Sequence, residues 1–177
     1  DFLKQKKTKA YVAFNRRHYS STSMALNELK NDSDKRIIFV QDQEDAKLAL
    51  KSGQPRKVVE NWMFANSIHL IDYFRIFGRG QITKVENIEK WNPANPFLVL
   101  SKVHFDSGDI GIYKAVWDAP APWSVTVTTK NQRLLMSPVE KLIHQKYGSR
   151  NLIDLKIDKY DEIFKPGLKK QAEEILN

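Results

Sequence analysis

The sequence holds 177 residues, 41% of them hydrophobic, enough for one well-filled core and one domain by default. Its net charge of +8, from 29 basic and 21 acidic residues, permits contact with nucleic acid, but the cations cluster only at Lys4–Lys9, Arg16–Arg17 and Lys169–Lys170. No nucleic-acid-binding signature accompanies them, so a solvated basic surface is expected and nucleic acid is not an expected partner. The lack of cysteine excludes disulfides and thiolate metal sites and fits a reducing, cytoplasmic setting, and Asp72 and Arg75 interrupt the one apolar run that could approach a membrane span.

The chain begins with Asp1 rather than Met and is expected to be a fragment. Asp1–Lys7 reads as the end of a helix, with lysines where the helix dipole favours cations. Lys9–Arg16 then alternates as a buried strand would, Ala10, Val12 and Phe14 against Tyr11 and Ala13. A helix feeding a short apolar strand is how a parallel α/β sheet ends, so residues 1–18 are expected to be the remnant of a preceding domain and 19–177 a domain of their own. Ser20 to Ser23 offer N-caps for a helix through about Lys30. Ile37-Ile38-Phe39-Val40, within Arg36–Gln41, reads as a fully buried strand or a short core run. Asp42–Lys51 reads as a helix closed by Ser52-Gly53, and Gln54–Val59 as a polar connector.

Asn61–Phe77 is the most informative segment: a long helix, apolar on most sides, with a stop at Gly78 because glycine tolerates the left-handed conformation that ends helices. Trp62, Ala65, His69, Asp72 and Ile76 share one stripe, so the Asp72 carboxylate can reach the His69 imidazole. After Gly80 the period changes from that of a helix to that of strands. Ile82–Trp91, Phe97–Phe105, Ile110–Trp117, Trp123–Thr129 and Arg133–Met136 form a meander, with turns at Asp106–Asp109 and Lys130-Asn131. A tail helix over Pro166–Leu176 is expected to pack through Leu168, Ala172 and Ile175. The fold class is therefore α+β: an open, mostly antiparallel sheet with helices on one face.

An imidazole beside a carboxylate is a proton donor or acceptor poised near neutral pH, and it is equally a satisfied polar pair in a core. Asn15-Arg16-Arg17-His18 follows a strand, where ligands of open sheets bind; a charged or polyhydroxylated ligand and plain solvation both suit it. Trp117 and Trp123 flank Asp118–Pro122 and either stack on a sugar or pack a sheet edge. His18, His104 and His144 have no partner at metal-ligand spacing, so no metal is expected. The seven glycines form no phosphate-cradling loop.

In order along the chain, Val12-Ala-Phe-Asn-Arg-Arg-His18, Asn66-Ser-Ile-His-Leu-Ile-Asp72, Tyr73-Phe-Arg-Ile-Phe-Gly78, Phe105-Asp-Ser-Gly108, Trp117–Trp123 and Phe164–Gln171 resemble the glucose–fructose oxidoreductase, inositol dehydrogenase and MocA (Gfo/Idh/MocA) family. The resemblance implies the carboxyl-terminal domain of an NAD(P)-dependent oxidoreductase, of dihydrodipicolinate-reductase-like fold, preceded by the last helix and strand of a Rossmann domain. It implies NAD or NADP, bound mainly by a domain absent from this chain that also carries the catalytic lysine. It implies a sugar or polyol substrate, and a homo-oligomer formed through the sheet. By position, His69 is implied to be the catalytic histidine and Asn15 and Arg16 to meet the cofactor; Asp72 is taken as catalytic beside His69, and Arg17, Asn66 and Trp123 as the residues that meet the substrate. Many members place an aspartate four residues before that histidine; here the position is Ala65, and Asn66 points about 100° away round the helix. That departure leaves a second reading open: a catalytically degenerate member serving as a dimerisation or ligand-binding module.

Overall fold

The computed structural model describes residues 12–176. The helix end expected over Asp1–Lys7 and the start of the strand expected from Lys9 lie outside those residues. The rest of that expected strand is not one: Asn15–His18 forms a single 3-10 turn. It leads into α1 (Ser20–Leu29). Strand β1 (Ile37–Glu44) follows, then α2 (Ala46–Lys51) and the one-turn α3 (Arg56–Val59). The segment around His69 is a π-helical turn at Met63–Ser67 that continues as α4 (Ile68–Ile71) and α5 (Tyr73–Phe77). Seven strands come next: β2 (Ile82–Glu89), β3 (Leu98–Phe105), β4 (Ile110–Trp117), β5 (Ser124–Thr128), β6 (Gln132–Met136), β7 (Leu142–Lys146) and β8 (Ile153–Leu155). Helices α6 (Lys159–Ile163) and α7 (Leu168–Leu176) close the described chain.

The strands form one open sheet in the order β2-β3-β4-β1-β5-β6-β7-β8. Every neighbouring pair is antiparallel except β1 with β4. The α+β architecture expected from the period change is thus the one observed. Because side chains alternate across a strand, each long central strand has one buried and one half-exposed face. On β1 the buried set is Ile38, Val40, Asp42 and Glu44; on β3 it is Val99, Ser101, Val103 and Phe105; on β4 it is Gly111, Tyr113, Ala115 and Trp117.

Several expectations need correcting. Strand β1 is half-buried rather than fully buried, and it runs on to Glu44, so the helix expected from Asp42 begins only at Ala46. Tertiary burial decided this: the parity that buries Ile38 and Val40 also buries Asp42 and Glu44. Gly78 ends α5 in an extended conformation at φ −74°, not a left-handed one. Its glycine is required by space, since a Cβ would sit 2.2 Å from Phe105 Cε1 and 2.6 Å from Phe74 O. In α7 the buried residue is Gln171, while Leu168 and Ile175 are each 41% exposed. Strands β7 and β8 and helix α6 were not foreseen.

The core joins the sheet to α5 through aromatic rings: Tyr73 stacks on Phe77 at 5.8 Å, and Phe74 meets Tyr113 edge-on at 6.5 Å. Arg36, at the start of β1, donates from Nη1 to Phe77 O and from Nη2 to Leu29 O. One buried guanidinium thereby caps the carboxyl ends of α5 and α1, where orphan carbonyls and the helix dipole favour a cation. This clamp fixes the far end of the helical segment that carries His69.

Candidate functional site

The near end of that segment is fixed by an anion. Glu44 is fully buried at the end of β1 and its carboxylate meets the π-helical turn. It accepts from Trp62 Nε1 at 2.5 Å, Asn66 Nδ2 at 2.8 Å and Ser67 Oγ at 2.5 Å. A widened turn of this kind recurs at functional positions in helices. Here it brings three donors within reach of one carboxylate. Asp42, two residues earlier on the same face, is also fully buried and accepts from Tyr113 Oη at 2.8 Å.

His69 lies one turn beyond. Its ring meets Phe14 edge-on at 5.8 Å, and its Nδ1 is buried with no hydrogen-bond partner among the described residues. Burial first, and the Arg16 cation second, hold the imidazole below its ordinary pKa, with Asp72 pulling the other way. A neutral ring at physiological pH is free to accept a proton. Asp72 does not orient it: the carboxylate is taken by Arg17, whose Nε and Nη2 reach its two oxygens at 2.5 Å each. The expected His69–Asp72 hydrogen bond is therefore replaced by a two-pronged ion pair, the geometry for which a guanidinium is best suited.

The remaining residues singled out in the sequence fall into two groups. Asn66, Trp62, Gln43, Asp45 and Trp123 line a cleft of about 310 Å3. Arg16 lies over the Trp123 ring, 4.6 Å from its centre, and its Nε is buried without a partner. Trp123 itself is held by donation from Nε1 to Gln43 O at 2.8 Å. On the other side of the His69 helix, Arg17, Asp72 and Phe14 border a second cavity of about 670 Å3, walled by Ile71 and Val99 among others. Asn15 joins neither group. Its Nδ2 donates to Pro166 O at 3.2 Å, and its own carbonyl lies 2.1 Å from where a Cβ of Gly167 would stand. Gly167, at φ +71°, is needed for both that backbone conformation and that close approach. The Phe164–Gln171 tail thus docks on the Asn15 turn, a structural use of the amide.

Asp42, Glu44 and Tyr113 were missed. A signal for them existed: carboxylates at the same strand parity as Ile38 and Val40 point to the core, and such groups are rarely buried without a reason. Among the described residues, no three His, Asp or Glu side chains gather closely enough to hold a metal ion. No described helix is long and apolar enough to cross a membrane.

No protein-family model matches the sequence, and no curated protein matches it. Solved structures do match the fold. A dehydrogenase (MviM) from Clostridium difficile aligns over 97% of this chain and 54% of its own, at TM-score 0.68 and 17% identity. UDP-N-acetylglucosamine 3-dehydrogenase GnnA from Acidithiobacillus ferrooxidans aligns over 90% and 50%, at TM-score 0.65 and 8% identity. Levoglucosan dehydrogenase, in a complex with NADH and levoglucosan, aligns over 89% and 49%, at TM-score 0.63 and 13% identity. At these identities the likeness is one of fold, and the chain spans about half the length of each of these dehydrogenases.

Proposed function

We propose that this chain is the substrate-binding and oligomerisation half of an NAD(P)-dependent oxidoreductase acting on a hydroxyl of a sugar, sugar derivative or polyol, within the Gfo/Idh/MocA family. The observation that carries the reading is the His69 imidazole, whose buried Nδ1 has no hydrogen-bond partner among the described residues, on a fold shared with sugar dehydrogenases over nearly the whole chain. The nicotinamide, when bound, takes the hydride. This chain has no loop that would cradle its pyrophosphate, so the cofactor belongs mainly to the part that precedes this domain, with residues 1–18 as the join. His69 accepts the proton of the substrate hydroxyl. Asp72, held by Arg17 one turn from the imidazole, favours the imidazolium that forms. Asn66 and Trp123 offer an amide and a ring face to a polyhydroxylated ligand, and Arg16, stacked over Trp123, is assigned to cofactor or substrate. Oligomerisation uses the half-exposed sheet face, where Phe39 and Ile112 lie beside Thr126. The cysteine-free sequence suits a cytoplasmic setting.

In the full-length protein, His69→Ala lowers turnover by roughly a hundredfold or more if the ring is the general base. An unchanged rate removes that role. A second reading, a degenerate member serving as a dimerisation or ligand-binding module, draws on Ala65 and on the structural use of Asn15. Titration of the full-length protein with NADH and NADPH separates the two, because the module has no need to bind either.

A further inference from the structure

Glu44 accepts three hydrogen bonds on one buried carboxylate, yet among the described residues no cation pairs with it. Among the described residues neither Asp42 nor Glu44 is in a salt bridge, and both are fully buried. Two adjacent buried carboxylates cannot both stay ionised without a counter-charge; the established solution is one shared proton. The hydrogen bonds say where it goes. Glu44 accepts from Trp62, Asn66 and Ser67, three donors that favour the anion. Asp42 accepts once, at Oδ2 from Tyr113, and its Oδ1 is buried with no hydrogen-bond partner among the described residues, while Glu44 follows two residues on along the same buried face.

We propose that Asp42 and Glu44 form a singly ionised pair, in which protonated Asp42 donates from Oδ1 to anionic Glu44, and that Glu44 is thereby the positioning residue for Trp62 and Asn66, two walls of the 310 Å3 cleft. The charge balance is simple. One proton and one negative charge are shared while the pair is intact; loss of the proton to solvent leaves two buried charges facing the π-helical turn. The groups around the pair agree with this arrangement. Glu44 on the same strand raises Asp42 further after burial has done most of the work, while Tyr113 from β4 and the more distant Arg16 oppose, leaving Asp42 raised to about 8. Glu44 is also raised by burial, against the pull of Ser67, Asn66, Asp42 and Trp62.

The consequence for a substrate rests on the oxidoreductase reading; the pair itself does not, and its test needs neither cofactor nor substrate. The full 177-residue chain is followed by NMR from pH 5 to 10, reading the side-chain carboxyl carbons, the Trp62 indole N–H and the Asn66 side-chain amide. The expected result is an Asp42 carboxyl that titrates well above the ordinary carboxylate range, with the Trp62 and Asn66 signals moving at the same midpoint. Asp42→Asn, which keeps a donor toward Glu44, makes both signals independent of pH over that interval. Tyr113→Phe removes the hydroxyl that favours ionised Asp42 and moves the midpoint upward, a second arm that holds if the first variant fails to fold. The proposal is overturned by an Asp42 carboxyl that titrates near 4, by Trp62 and Asn66 signals indifferent to its titration, or by a midpoint that Tyr113→Phe leaves in place or lowers. A full-length protein that binds neither NADH nor NADPH would sink the oxidoreductase reading and leave this result untouched.

Discussion

Two aspartates are buried against the same sheet and receive opposite treatment. Asp109, in the turn before β4, accepts from the backbone N–H groups of Arg36 and Arg79 and from Arg79 Nε and Nη2, at distances from 2.6 to 3.0 Å. Burial works against its charge, but these donors win and hold its carboxyl below the usual range. Asp42, near the other end of β1, has one tyrosine hydroxyl and a second carboxylate for company, and its carboxyl rises. The difference separates a fastening from an adjustable part. Where the chain needs only to tie helix to strand, it spends an arginine and backbone amides; beside the cleft, it leaves a proton as the counter-charge.

The largest effect follows from breaking the fastening. Asp109→Ala strands Arg79 and two backbone N–H groups, and loss of one partner of a buried pair costs about 3–5 kcal/mol. For a chain of this size that lowers the melting temperature by roughly 10 °C, read by circular dichroism. Asp109→Asn, which restores an acceptor without charge, recovers part of the loss. A shift of a degree or two for both variants would show that the Asp109 contacts are incidental. The pH signature is that of a depressed carboxylate: its contribution is present above the ordinary carboxylate range and disappears as pH falls below it.

Asp42 reverses that sign. Unfolded, the group ionises near its ordinary value; folded, it keeps its proton until about 8, so between those limits the folded chain binds more protons than the unfolded one. Stability conferred in acid is therefore lost as pH climbs through that window, at a slope approaching about 1.4 kcal/mol per pH unit for a single proton. Denaturant melts at pH 5, 6, 7 and 8 measure the slope, and Asp42→Asn flattens it. A chain that grows steadily more stable across this interval contradicts the comparison at its root.

Much of this architecture was open to reading, and the gaps have physical causes. Alternation announced β3 to β5, which bury one face and leave the other half-exposed, whereas β2 is exposed along nearly its whole length. β7 and β8 escaped notice because Leu142–Lys146 ends in polar residues and Ile153–Leu155 is too short to display a period; pairing with β6 makes the first a strand and pairing with β7 the second. His69 was visible from its place in an apolar helix. Its partner was misjudged because spacing along a helix shows which groups are within reach and says nothing of a competitor from another element; Arg17, fifty-five residues earlier, has the better geometry for Asp72. Asp42 and Glu44 were assigned to a helix because charged residues after Val40 look like the end of a strand. Only the pairing of Asp42 with Ala115 and Glu44 with Trp117 carries the strand through them.

A third carboxylate, Asp72, lies between these extremes and supplies the finest test. Its side chain is 7% exposed and its arginine 45%, so the pair is open to solvent on one side and its loss is worth about 1 kcal/mol at most. The informative quantity is instead the titration of His69. Asp72 already favours the imidazolium while burial and Arg16 oppose it. With Arg17 in place, the guanidinium offsets part of the field that Asp72 exerts at the ring. Arg17→Ala removes that offset and frees the carboxylate to turn along its own helix face toward the imidazole. The His69 ring-proton midpoint, followed by NMR, therefore moves upward. A His69 midpoint that falls or does not move would mean that Asp72 serves Arg17 alone, and that the helix carries an imidazole with no electrostatic companion on its own face.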